Sequence, residues 1–88
     1  MKIIWSPTAL KHIEAIGNFI ALDSPKRTQL FAQKLINSVD RLKDFPLSGS
    51  LVKESPNLKQ VIVQGYRIIY RAKDKQIEII AVLTPFQL

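Results

Sequence analysis

Hydrophobic positions change period twice along the chain, and each change marks an element boundary. Lys2-Ile3-Ile4-Trp5 is short, β-branched and aromatic, the make-up of a strand. Ser6-Pro7 follows with a hydroxyl cap and a proline at the first helical position. Ala9, Leu10, Ile13, Ile16, Gly17 and Ile20 then recur at three- and four-residue spacings, which predicts a helix to about Leu22 with that stripe on the core. Lys11, His12, Glu14 and Asn18 fall mostly on the other side, so His12 reads as a solvated helix residue. Asp23-Ser24-Pro25 repeats the cap grammar, so a second helix starts almost without a loop and the pair forms an antiparallel hairpin. Thr28, Phe31, Ala32, Leu35, Ile36, Val39, Leu42 and Phe45 make its broad apolar face, and Pro46 forbids continuation. Leu30 falls off that face, either as an isolated exposed leucine or as part of a docking surface.

Beyond Pro46 the helical period gives way to turn residues and then to strict alternation. Pro46-Leu47-Ser48-Gly49-Ser50 and Lys53-Glu54-Ser55-Pro56-Asn57 are turn clusters, so a surface loop is expected between the helices and the later strands. Leu58 to Val63 reads as a strand that turns at Gly65 into a second, Tyr66 to Ala72. Side chains alternate along it: Tyr66, Ile68, Tyr70 and Ala72 share one face, and Arg67, Ile69, Arg71 and Lys73 the other. Lys73-Asp74-Lys75-Gln76 is turn material, and the near-continuous apolarity of Ile77 to Leu83 places that strand in the sheet interior. The predicted architecture is α+β, ordered strand, helix, helix and a three-strand meander. Its helical hairpin covers one face of a mainly antiparallel sheet and leaves the other open.

Composition narrows the partners more than the fold. A chain of 88 residues with 47% hydrophobic and 23% charged positions is expected to form a single domain, 1–88, around one core. Thirteen Lys and Arg against seven Asp and Glu give a net charge of +6, which favours nucleic acid, an acidic protein segment or a membrane surface as partner. The absence of cysteine removes disulfides and thiolate chemistry, and with His12 the only histidine no metal or cofactor is expected. The first residues lack the apolar stretch of a signal peptide, and no segment approaches the ~18 apolar residues of a membrane span. A soluble cytoplasmic protein without a membrane partner is the expectation.

Catalytic constellations fail one by one: there is no phosphate-cradling glycine loop, no Cys and His pair, no Glu-x-x-His spacing and no nucleophile elbow. Glu78, the carboxylate inside a strand, reads as a solvated or salt-bridged position. What remains is Arg67 and Arg71 on one strand face, with Lys59 or Lys53 brought near by the hairpin. Arginine grips phosphate or carboxylate bidentately, so this set suits an RNA backbone or an acidic peptide. The alternative is a solvated outer face where Arg stems cover Ile69. Tyr66 and Tyr70 are core side chains first and base-stacking platforms second.

Together these residues resemble the RelE/ParE superfamily of bacterial toxins from type II toxin-antitoxin systems, nearer its ParE branch. The likeness is carried by Trp5-Ser6-Pro7 with Ala9, by Asp23-Ser24-Pro25, by Leu42 with Phe45-Pro46 and Gly49, and by Gly65-Tyr66-Arg67-Ile68-Ile69-Tyr70. The resemblance implies a β-α-α-β-β-β fold, a cognate antitoxin, and one of two activities. ParE-like proteins poison DNA gyrase by protein contact, whereas RelE-like proteins cleave mRNA on the ribosome. As a ribonuclease the chain would use Arg67, which matches the arginine of the Gly-Tyr-Arg segment, together with Lys59. The family's carboxyl-terminal histidine or arginine is missing, since Thr84-Pro85-Phe86-Gln87-Leu88 closes the chain. Without a base or acid there, cleavage loses a contribution of roughly 10²–10⁴-fold. The gyrase reading therefore leads and no catalytic residue is assigned; an mRNA interferase, or a degenerate toxin that retains only antitoxin binding, is the alternative. The antitoxin is expected to lay an amphipathic helix along the hairpin at Leu30, Lys34 and Arg41, with strand addition at a sheet edge as a second mode.

Overall fold

A computed structural model describes residues 1–85 and orders the elements as β1 (Lys2–Trp5), α1 (Pro7–Asp23), α2 (Pro25–Asp44), β2 (Ser50–Val52), β3 (Ser55–Val63), β4 (Tyr66–Lys73) and β5 (Gln76–Leu83). The strands form one five-stranded sheet in the order β1-β5-β4-β3-β2, antiparallel except where β1 runs parallel to β5. No described helix is long and apolar enough to cross a membrane. The helix starts follow the cap grammar. Ser6 Oγ accepts the Ala9 N–H at 3.0 Å and Ser24 Oγ accepts that of Arg27 at 3.3 Å, each just before a proline. Ser24 also closes α1 by donating its own N–H to the Ile20 carbonyl, so one residue serves both helices and the hairpin bends sharply there.

The two helices pack on one sheet face. Ala9 and Ile16 of α1 and Phe31, Leu35, Val39 and Leu42 of α2 meet Tyr66, Ile68 and Tyr70 of β4 and Ile77, Ile79 and Val82 of β5. The apolar face expected of each helix is wider than the contact. Leu10 and Ile36 remain about half exposed, Phe45 is 63% exposed, and Ala32 faces water. A cylinder resting on a sheet buries a strip and not an arc, and α2 spends its strip on the residues at 31, 35, 39 and 42.

The expected loop contains a strand. Ser50–Val52 pairs with β3, and β3 begins at Ser55 and not at Leu58, which makes four strands after the helices where three were expected. β2 is an edge strand of three residues whose formation depends on a partner already in place, and no local propensity signals it. The β3–β4 turn has Gln64 and Gly65 both at positive φ, 53° and 88°, the geometry of a type I′ hairpin turn that glycine favours at its second position. β5 lies between β1 and β4, the interior place its apolarity suggested.

A β-bulge on β5 shapes the contact with α1. The register steps from Ile69–Ala81 to Tyr70–Ile79, leaving Ile80 without a partner on β4. β1 ends at Trp5 opposite Ile79, so the following residues of β5 have no strand on that side. Helix α1 fills the gap: Ser6 Oγ donates to the Ile80 carbonyl at 2.9 Å, and His12 Nδ1 accepts the Val82 N–H at 3.1 Å. His12 is thus half-buried in the helix–sheet seam, which corrects its reading as a solvated residue. Its place was set by where β1 stops.

Candidate functional site

Strand alternation sorts the candidate residues onto two surfaces. On the sheet face away from the helices, the pairings align Ile62, Arg67 and Leu83 across three strands, then Gln60, Ile69 and Ala81, then Arg71, Glu78 and Ile4. Arg67 Nε donates to Gln60 Oε1 at 2.7 Å, which fixes the side chain, and among the described residues the outer nitrogens of the guanidinium make no further hydrogen bond. Arg71 is committed elsewhere: its Nε and Nη2 reach Glu78 Oε1 and Oε2 at 3.1 and 3.2 Å. Glu78 is therefore the salt-bridged position expected of it. Ile69, between the two arginines, is only 5% exposed.

Lys59 does not join this face. Lys59 pairs across the ladder with Tyr70, whose side chain is in the core, so Lys59 projects to the helix side of the sheet and Arg67 to the opposite side. The sequence held the signal for this. A two-residue turn at Gln64-Gly65 pairs Val63 with Tyr66, and counting back pairs 59 with 70. The combination of Arg67 with Lys59 for phosphodiester cleavage is thus not assembled. Lys53 is exposed in the turn between β2 and β3. Tyr66 tilts against Phe31 with ring centroids 4.9 Å apart and is 9% exposed, and Tyr70 is fully buried, so neither offers a face for stacking bases. The Tyr70 hydroxyl donates to the Pro46 carbonyl at 2.9 Å and accepts the Gly49 N–H at 3.0 Å; burial pushes its ionisation upward, against a smaller opposing effect of the Gly49 bond. Among the described residues no group of three His, Cys, Asp or Glu is placed to hold a metal ion. Phe86, Gln87 and Leu88, read from the sequence as a terminus without a basic group, lie outside the described residues.

The second surface is built on α2. Lys34 and Arg41, seven residues apart on one helix stripe, line a groove with Ile62, Val63 and Gln64 of the β3 end. Toward the hairpin tip it meets a larger groove of about 800 Å3, where Leu30, Phe19 and Leu22 stand exposed around Phe31 and Tyr66. Leu30 thus belongs to an apolar cluster and is not isolated. Phe19 and Leu22 were overlooked in the sequence because neither lies on the core stripe of α1; their signal was two large apolar residues on a side otherwise polar. Arg27, seven residues before Lys34, stands at the rim and pairs with Asp23 at 3.3 Å.

Comparison with known proteins finds a matching family and a matching fold. A family model described as the ParE toxin of the type II toxin-antitoxin system parDE matches residues 3–84. The chain is similar to Toxin RelE2 of Caulobacter vibrioides, with 29% identity over 82 residues that cover 92% of this chain and 91% of that protein. A solved chromosomal ParDE toxin-antitoxin system from P. aeruginosa has a chain similar in fold, with a TM-score of 0.79 at 19% identity, covering 96% of this chain and 95% of that one.

Proposed function

The chain belongs to the ParE toxin family of type II toxin-antitoxin systems, and on that premise we propose that it arrests growth by binding another protein, DNA gyrase, and that a cognate antitoxin neutralises it. The observation that carries protein binding over RNA cleavage is the neighbourhood of Arg67. Its cross-strand neighbours are Ile62 and Leu83, its hydrogen-bond partner is the neutral Gln60, and the nearest candidate cation on its own strand is tied to Glu78. Cleavage of a phosphodiester needs a base and an acid within about 3 Å of the reacting oxygens. His12 is engaged on the helix side with a backbone N–H. An anchored guanidinium among apolar side chains suits instead a protein surface that offers a carboxylate beside an apolar patch.

The antitoxin reading places an amphipathic, acidic helix along Leu30, Lys34 and Arg41, with its apolar side chains seated around Phe19 and Leu22. The net charge of +6 and the apolar tip supply attraction and anchoring, respectively. Inducible expression in a bacterial host tests the whole reading. The expected result is growth arrest with DNA breaks and loss of supercoiling by purified gyrase on addition of the protein, with transcripts intact. Arg67→Ala is expected to weaken the arrest. Ribosome-dependent transcript cleavage that disappears in Arg67→Ala would establish the interferase instead. Harmless expression would leave an antitoxin-binding module only.

A further inference from the structure

The two outermost strands of the sheet are finished differently. β2 carries a register break between Leu51 and Val52, and an irregularity of that kind turns a strand away from new partners. β1, at the opposite end, makes four consecutive pairs with β5 without a break. It has no charge between Lys2 and Ser6, and among the described residues no strand lies on its outer side. The ladder fixes which backbone groups face out. Lys2 N–H donates to the Lys75 carbonyl and Ser6 N–H to that of Ile79, so residues 2, 4 and 6 face β5, and the N–H and C=O groups of Ile3 and Trp5 point away from the sheet. The side chains of this strand are apolar and incompletely covered. Ile3 and Trp5 lie half-buried on the helix side beside Ile77 and Ile79, and Ile4 lies half-buried on the Arg67 side beside Glu78.

We infer that β1 is a self-association surface, at which a second copy of this chain pairs antiparallel about a two-fold axis through Ile4 and joins two five-stranded sheets into one. The register selects this partner. Centred on Ile4, the pairing sets Ile3 against Trp5 of the second copy and Trp5 against its Ile3, and each of these pairs exchanges two N–H···O=C bonds, so every outward group of both strands is engaged. Sliding it one way brings Pro7, which has no N–H, to the next outward position; sliding it the other way puts Lys2 opposite an isoleucine. On the helix side the seam joins an aromatic to a β-branched residue twice, a favoured cross-strand pair, and on the other side Ile4 meets its own counterpart. Charge does not oppose it: Lys2 falls opposite Ser6, which holds the two Lys2 backbones roughly 14 Å apart, beyond the ~8 Å screening length of physiological salt. The strand is thus its own complement in length, in the apolar character of its three middle residues and in the placing of its one charge at the end. The inference holds whichever protein the Arg67 face binds, and it sets both Arg67 faces on one side of the joined sheet.

Sedimentation equilibrium of the purified wild-type chain tests it. Expected is a reversible rise from 10.0 kDa toward twice that mass as concentration increases, reached below about 1 mM. Because each copy carries +6, raising salt from about 50 to 500 mM should tighten the dimer by about threefold or more. Amide exchange at Ile3 and Trp5 should slow by about tenfold between dilute and concentrated protein, a readout that needs no variant. Ile4→Lys sets two like charges on the axis and should weaken the dimer by about tenfold or more, with a melting temperature within about 3 °C of wild type. A chain that keeps its monomer mass at about 1 mM would overturn the inference. So would a dimer that forms with Ile3 and Trp5 exchange unchanged, since the copies would then meet elsewhere, and so would a dimer that salt loosens or that a folded Ile4→Lys chain still forms as tightly.

Discussion

Replacing Tyr70 by phenylalanine removes one oxygen from the centre of the molecule and tests how the α2–β2 loop is held. The side chain is fully buried, and its hydroxyl joins the Pro46 carbonyl to the Gly49 N–H across 2.9 and 3.0 Å. Each bond contributes on the order of 1 kcal/mol, and both loop groups, already half-buried, are left without that partner, so the loss should be about 2–3 kcal/mol. For a domain of this size 2 kcal/mol lowers the melting temperature by roughly 8–16 °C. Thermal unfolding of wild type and Tyr70→Phe at pH 7 measures it, and amide exchange should quicken first in β2, which the loop carries. Burial also raises the phenol's folded pKa above its ordinary value near 10, so the protonated form is the one the fold favours. The stabilisation is then complete below about pH 10 and is lost as pH rises through the folded pKa, which narrows the gap between wild type and variant on the alkaline side. A melting temperature lowered by less than about 3 °C, or a gap that widens above pH 10, would refute the reasoning.

Gly49→Ala should destabilise by about 1–3 kcal/mol, because an added Cβ would lie 2.6 Å from the Tyr70 oxygen and 2.7 Å from the Gln60 carbonyl. Since both substitutions disturb the same contact, the double variant with Tyr70→Phe should lose less than the sum of the two, which denaturant unfolding of all four proteins resolves. His12→Ala removes the acceptor of the Val82 N–H and should lower stability by about 1–2 kcal/mol, with accelerated exchange at Val82 as its local sign. The pair Lys34→Glu and Arg41→Glu should weaken antitoxin binding by about tenfold or more while leaving the melting temperature within about 2 °C. Calorimetric titration checks the affinity, and unchanged binding would remove these residues from the interface.

Local rules operating over a few residues fixed the elements. Ser6-Pro7 and Ser24-Pro25 start both helices, Gly65 turns the hairpin, and alternation along β4 divides Tyr66, Ile68 and Tyr70 from Arg67, Ile69 and Arg71. The family likeness was legible for the same reason, because its motifs are caps and turns whose chemistry is local. What depends on which distant segments meet was settled only by the tertiary structure. β2 forms because β3 offers an edge, and the bulge at Ile80 together with the end of β1 calls His12 to a backbone N–H 70 residues away. Arg71 is neutralised because register sets it opposite Glu78, while Arg67 is anchored by a neutral partner because the same ladder brings it near Gln60. Periodicity shows which face a residue occupies on its own strand, but a site is made by neighbours across strands, and those are chosen by register and packing.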